Sequence, residues 1–133
     1  MQNKVVARFQ DGRLLKGTTG DFLPAKPSFH LALADAPPTE KPAEVAVASL
    51  KAVFFVRDLA GDAQRRDVAE FPQDRPLVGR KIRVVFKDGE TLVGTTQGYD
   101  PSRPGFFVIP ADARENNERC FVVAAATSQV SFV

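Results

Sequence analysis

The residues of this sequence best suited to chemistry are cations that lie close to aromatic rings. Lys26 and Arg103 each lie in a proline-marked loop, and Arg119 follows an asparagine pair. Such cations, beside exposed rings such as those of Tyr99 and Phe107, are the means by which proteins hold single-stranded RNA. The candidate ligand-binding residues are therefore Lys26, Tyr99, Arg103, Asn116, Asn117 and Arg119.

The charge balance limits how such a site could work. The 133-residue chain carries 18 basic and 16 acidic side chains, a net charge of +2, which is too small for a field that attracts polyanions over the whole surface. Acidic residues, among them Asp100 and Glu118, also interleave with the candidate cations and would weaken phosphate attraction. A solvated charged surface is the alternative interpretation of these residues.

Catalytic and metal-binding patterns are absent from the sequence. Its one histidine, His30, and its one cysteine, Cys120, cannot form a zinc cluster or a disulfide within the chain. We expect a packing or surface role for His30 and an ordinary thiol at Cys120. Residues 17–20 contain two glycines but lack the lysine of a phosphate-binding loop. The sequence therefore predicts no enzyme, no cofactor and no metal.

The hydropathy pattern bears on location. The first residues lack the apolar run of a secretory signal, and no stretch approaches the roughly 20 apolar residues that cross a bilayer. We therefore expect a cytoplasmic protein that has no membrane partner.

An internal repeat dominates the sequence. Residues 4–56 align without a gap on residues 81–133, a shift of 77 positions, and the best match pairs residues 9–19 with residues 86–96. Residues 57–80 have no counterpart and read as a linker, in which Asp62 could cap a short helix. We predict a first module at 1–56, a linker at 57–80 and a second module at 81–133.

Each copy reads as five short strands. Alternating apolar residues predict a first strand over residues 5–9 and 82–86, and Asp11-Gly12 with Asp88-Gly89 predicts tight two-residue turns into a second strand. Gly17 and Gly94 inside that second strand indicate a bend or the close approach of another strand. Proline-marked loops lead to a third strand, and two further strands are centred on residues 45–48 and 53–56, and on 122–125 and 130–133.

The residues 84–94, with the pattern Val-x-Phe-x-Asp-Gly-x-x-Leu-x-Gly, resemble the Sm-like family of small barrels. The resemblance implies an all-β fold of two tandem five-stranded Sm-like or SH3-like barrels related by internal duplication. It also implies RNA as a possible ligand. Ala125-Ala126 stands where that family has Arg-Gly, and the loop of residues 100–104 lacks its asparagine. Residues 94–107 also resemble an uncharacterised bacterial domain that brings no known activity.

The positions at which the copies disagree indicate an interface. Apolar residues stand there in one copy where the other copy differs, so they lie outside the shared core: Val6, Phe54, Val85, Val93 and Phe107. Such side chains need a cover, which is either the other barrel or another chain. We expect a non-catalytic binding module that favours a protein partner or homo-oligomer, with an Sm-like RNA-binding protein as the alternative.

The repeat leads to a first testable prediction. A barrel of about fifty residues buries too little apolar surface to offset the entropy of ordering it. Residues 1–60 expressed alone should therefore melt far below the full chain when both are followed by circular dichroism. Equal melting temperatures would contradict packing between the two halves.

Overall fold

A computed structural model describes residues 3–37, 39–57, 59, 79–100, 102–111 and 117–133, with the side chain of Asn117 left out. Ten strands, all paired antiparallel, form one open sheet, so the fold is all-β as predicted. The strands are β1 (Asn3–Phe9), β2 (Leu14–Thr19), β3 (Ser28–Leu33), β4 (Ala43–Ala46), β5 (Leu50–Val56), β6 (Arg80–Phe86), β7 (Thr91–Thr96), β8 (Gly105–Pro110), β9 (Asn117–Val123) and β10 (Thr127–Phe132).

The strand order is β10-β6-β7-β8-β9-β5-β1-β2-β3-β4. The first half of the chain, β1 to β5, therefore occupies one side of the sheet and the second half, β6 to β10, the other. Equivalent pairings recur 77 residues apart, as in Lys4 with Thr18 and Lys81 with Thr95. Pairing of β5 with β9 joins the halves and leaves β4 and β10 at the two ends. Closure of each half into a barrel stays a prediction.

Strand β5 is buried on both faces, and its alternate side chains enter two different cores. Val53 and Phe55 enter the first core, whereas Ala52, Phe54 and Val56 enter the second. From β9 of the second half, Phe121 and Val123 pack in the first core. Each half thus completes the core of the other, and burial of a side chain such as Phe121 contributes roughly 1.5–3 kcal/mol.

We call the pairing of β5 with β9 the joint between the two halves. A buried lysine strengthens it. Lys51 Nζ lies 2.8 Å from Asp88 Oδ2 and 3.3 Å from Glu90 Oε2, both in the hairpin between β6 and β7. The same nitrogen lies 4.6 Å from the ring centroid of Phe86. The hydrogen bond from Lys51 is the main cause that lowers the pKa of Asp88. The lysine therefore ties the first half to a turn of the second, and its charge is compensated although it is out of water.

The predicted two-residue hairpin turns are wrong. The Gly12 N–H donates to Phe9 O (3.1 Å), Phe9 N–H donates to Arg13 O (2.9 Å), and β2 begins only at Leu14. The backbone of Gly12 is left-handed, with φ of 94°, whereas Asp11 has negative φ. Asp11 instead accepts the Arg13 N–H through its carboxylate (3.0 Å), which favours the longer turn. Gly89 repeats this arrangement in the second half.

The strands predicted around residues 45–48 and 122–125 end earlier than expected. Short 3-10 turns at Val47–Ser49 and Ala124–Ala126 follow β4 and β9. The hydroxyl groups of Ser49 and Thr127 donate to carbonyl oxygens three residues earlier, each at 2.7 Å, and so stabilise the turns. The helix predicted after Asp62 lies outside the described residues. Strand β6 begins at Arg80, inside the predicted linker.

Gly17 and Gly94 are placed where a neighbouring strand leaves no room for a side chain, which confirms the close approach. A Cβ at Gly94 would collide with the carbonyl oxygen of Ile109, and one at Gly17 with that of Ala32.

Gly94→Ala should therefore lower the free energy of unfolding by about 1–3 kcal/mol in urea denaturation. Gly98→Ala is the matched control, since a Cβ there meets nothing within 4 Å. Equal stability of the two variants would contradict this account.

Candidate functional site

A pocket of about 600 Å³ opens beside the joint between the two halves. The first half contributes Pro24, and the second half contributes the end of β7, the loop after it, and parts of β8 and β9. The lining residues on which the argument depends are Thr96, Tyr99, Arg103, Phe106, Phe107 and Arg119. The volume falls in the range of small-ligand and side-chain binding sites.

Aromatic rings form one wall of this pocket: Phe107 and Phe121 line it, and rings of the first half lie behind them. Phe107 and Phe121 lie with ring centroids 5.2 Å apart in an edge-to-face arrangement, and both contact Phe22 of the first half. Phe22 in turn packs against Phe55 at 5.6 Å. Edge-to-face pairs of this kind stabilise by about 0.5–1.5 kcal/mol beyond burial. The rings of this wall and those packed behind it therefore come from both halves.

Arg119 on β9 lies across this aromatic wall. Its guanidinium carbon is 4.3 Å from the ring centroid of Phe55 and 5.1 Å from that of Phe107. Within the described part of the chain, Arg119 has no ion pair. A guanidinium that stacks on rings keeps its N–H groups directed sideways, where they suit a carboxylate or phosphate. The pocket therefore combines aromatic rings with a cation that has no ion pair among the described residues.

The opposite side of the pocket carries a loop whose charges are balanced. Asp100 Oδ1 accepts bonds from the hydroxyl and the N–H of Ser102, at 2.7 and 2.9 Å, which lowers the pKa of Asp100. The other oxygen of Asp100 lies 3.8 Å from Arg103 Nε. The ring of Tyr99 packs edge-on against Phe106 at 4.8 Å. Because Asp100 is ionised and near Arg103, Arg119 is the stronger anion attractor.

The structure brings together only some of the predicted ligand-binding residues. Tyr99, Arg103 and Arg119 line the same pocket. Lys26 is exposed in the first half and is not among the lining residues. Asn117 begins β9, with its side chain not described, and Asn116 lies outside the described residues.

The residues predicted for an interface fall into two groups. Val6 and Phe54 of the first half pack against the second core, and Phe107 packs against the first core. Phe54 and Phe107 thus contact the opposite half, Phe54 opposite Cys120 of β9 and Phe107 against the ring of Phe22. Val85 is half-buried and Val93 is buried, and neither is among the residues that form the two cores.

Sequence reasoning missed several residues of the pocket. Pro24 lines the pocket and Phe22 packs behind its rings, and nothing in the spacing of a single copy places these first-half residues near β9. Thr96 donates its hydroxyl to Phe107 O at 2.8 Å and so fixes β7 to β8 beneath the pocket. The repeat did give one indication that Phe22 lies near a pocket, since Phe22 occupies the position equivalent to Tyr99.

His30 and Cys120 take structural positions. The Nδ1 and the backbone N–H of His30 contact Asp21, at 2.7 and 2.9 Å, on the surface. Cys120 is buried in the second core. In the described ranges, no group of three metal-ligating side chains occurs, and no helix is long and apolar enough to span a bilayer.

Comparison with known proteins identifies the family. One family model, described as a family of unknown function (DUF6982), matches residues 1–133, and the chain belongs to that family. The match spans both halves as a single unit. Searches of curated proteins and of solved structures gave no match.

The contact between Asp21 and His30 predicts a pH dependence. Hydrogen bonds from His30 lower the pKa of Asp21 from 3.8 to about 2. The ionised carboxylate therefore contributes stability above pH 3.8, and this contribution is lost as the pH falls toward 2. Asp21→Asn should reduce the loss of stability over that window, by less than about 1 kcal/mol because the pair is exposed. Identical acid-unfolding curves for the two proteins would contradict this assignment.

Proposed function

We propose that this chain is a non-catalytic binding module that holds a segment of a partner protein in the pocket beside the joint. The observation that carries the proposal is Arg119, which stacks on Phe55 and Phe107 without an ion pair among the described residues. A cation held in place by rings loses little conformational entropy when it binds an anion. An acidic side chain of the partner is the group that fits this position.

The proposal extends to the fold and its setting. Two tandem Sm-like or SH3-like barrels, related by duplication, account for the recurrence of the same strand registers 77 residues apart. The module is a cytoplasmic adaptor, with two halves that act as one rigid body. Support comes from the shared cores, since β5 and β9 each send side chains into both.

The shape of the pocket supports an apolar group next to the acidic one. Phe107 offers ring surface, with the buried rings of Phe106 and Phe121 beside it, and polar side chains line the remainder of the pocket. Such walls accept an aliphatic or aromatic side chain, and burial of that side chain supplies most of the affinity. The expected ligand is a peptide in which a carboxylate neighbours a large apolar residue.

Single-stranded RNA is the second candidate. Tyr99 and Arg119 line one pocket, and a base and a phosphate are the groups that such a pair binds in RNA. Asp100, held ionised at the same rim, and the exposed Glu118 oppose a phosphate chain. A protein ligand with one carboxylate meets less repulsion than a polyanion.

Selection of phage-displayed peptides on the full chain tests the proposal. Enriched peptides should carry a carboxylate beside an apolar residue, and Arg119→Gln should weaken their binding by about tenfold or more, since a charged hydrogen bond contributes about 1.5–3 kcal/mol. Arg13→Gln is the matched control, because Arg13 also stacks on a ring, that of Phe9, but lies outside the pocket. Binding should be measured by fluorescence anisotropy.

Labelled oligouridylate, measured in the same assay, tests the alternative that the pocket binds RNA. We expect no binding at micromolar protein in moderate salt. Salt-sensitive binding that Arg119→Gln removes would replace the peptide proposal with RNA binding. Peptides that bind Arg119→Gln as tightly as the natural chain would also overturn the proposed site.

A further inference from the structure

Strand β10 is an end strand whose equivalent in the first half is covered. Phe132 is 40% exposed and Val133 is 65% exposed, whereas their equivalents Phe55 and Val56 are 5% and 6% exposed. For Phe132, the difference from Phe55 arises because β9 pairs with β5, whereas β10 pairs with β6 alone in the part of the chain that the structure describes. The pairing of β5 with β9 is therefore a guide to the kind of strand that could pair with β10.

The aromatic cluster beside β10 contains fewer ring contacts than the equivalent cluster at the joint. Phe22 contacts two rings of its own half and two rings, Phe107 and Phe121, of the other half. Its equivalent, Tyr99, contacts the rings of Phe106 and Phe132, both in its own half. The rings that a neighbouring strand supplies to Phe22 have no counterpart beside Tyr99 in the described chain.

Among the described residues, no strand pairs with the outer edge of β10. The Val133 N–H donates to Lys81 O at 3.1 Å, so the N–H groups of Phe132 and Val130 point away from β6, because alternate residues of a strand face opposite neighbours. The strand, Thr-Ser-Gln-Val-Ser-Phe, holds no charged residue and no proline. Natural end strands are protected by such residues, and β10 lacks them.

We propose that β10 accepts an extended segment of a partner protein as an additional antiparallel strand. Carrying over the register of β5 with β9, in which Val53 faces Phe121, places an aromatic residue of the partner opposite Val130. The residue two positions earlier then faces Phe132, whose ring carries Arg80 at 3.8 Å. A carboxylate suits that position, so the recognised pattern is acid-x-aromatic.

A second copy of this chain is a poor occupant of the same edge. Of its two end strands, β4 in the register of the joint would place Pro42 opposite Phe132 and Glu44 opposite Val130, and β10 contains no acidic residue to face Arg80. Proline has no N–H to donate to the edge. Glu44 would stand where the joint has the buried ring of Phe121, and burial of an unpaired carboxylate is costly. The edge therefore favours a different chain.

A labelled peptide that copies β9 with two changes tests the proposal. Its sequence is Asn-Glu-Glu-Ser-Phe-Val-Val, which contains Arg119→Glu and Cys120→Ser relative to β9. Saturable binding to the full chain is expected by fluorescence anisotropy. Phe132→Ala should weaken it by about tenfold, since it removes the ring that holds Arg80 in place for the peptide carboxylate, and a charged hydrogen bond contributes about 1.5–3 kcal/mol. Leu14→Ala, which removes an exposed apolar side chain on β2, should leave binding unchanged.

Two further peptides test whether binding depends on backbone pairing and on the aromatic side chain. Methylation of alternate peptide nitrogens, on the side that faces β10, should abolish binding, and replacement of the peptide Phe by Ser should weaken it strongly. Absence of binding by the parent peptide, or equal binding of the methylated peptide, would overturn strand addition. A concentration-dependent dimer in native mass spectrometry that Phe132→Ala dissociates would also overturn it, in favour of a second copy. Arg119→Gln should not affect this peptide, so failure here and failure of the pocket are distinguishable.

Discussion

The pairing of β5 with β9 is the contact on which the rest of the molecule depends. A strand inside a sheet normally buries one face or lies between layers, whereas β5 sends successive side chains into two separate cores. Neither half has a complete apolar interior without a strand of the other. Stability, the position of the aromatic rings and the geometry of the pocket all follow from this exchange of side chains.

The same exchange explains why a binding pocket lies where it does. Arg119 of β9 lies over Phe55 of the first half and Phe107 of the second, because the pairing of β5 with β9 brings these residues together. Phe55 and Phe107 pack with the first core, which fixes their rings beneath the exposed side chain of Arg119.

Much of the secondary structure was predictable because the repeat samples each position twice. Gly17 and Gly94 recur at places where a Cβ would strike the next strand, and their purpose could be inferred from their recurrence. The turns at Gly12 and Gly89 were predicted too short, because the choice between turn types depends on side-chain bonds such as that of Asp11 to Arg13. Local sequence does not resolve those bonds.

The pocket was predictable only in part, for a physical reason. Tyr99, Arg103 and Arg119 were identified by residue type, but Lys26 has the same character and lies elsewhere. Their association depends on which strand edges meet, and the contact of β5 with β9 spans more than sixty residues of sequence. Phe22 joined the wall through that contact alone, so no pattern within one copy pointed to it.

The covalent link between the two halves determines how the pairing of β5 with β9 depends on protein concentration. Were β5 and β9 carried by separate polypeptides, their association would depend on protein concentration, as in any dimer. The peptide chain between Val56 and Arg80 converts it into a ring closure, with an effective local concentration of about a millimolar. Two halves tethered in this way meet at any dilution, and a protease cut between them would turn a unimolecular fold into a dissociable complex.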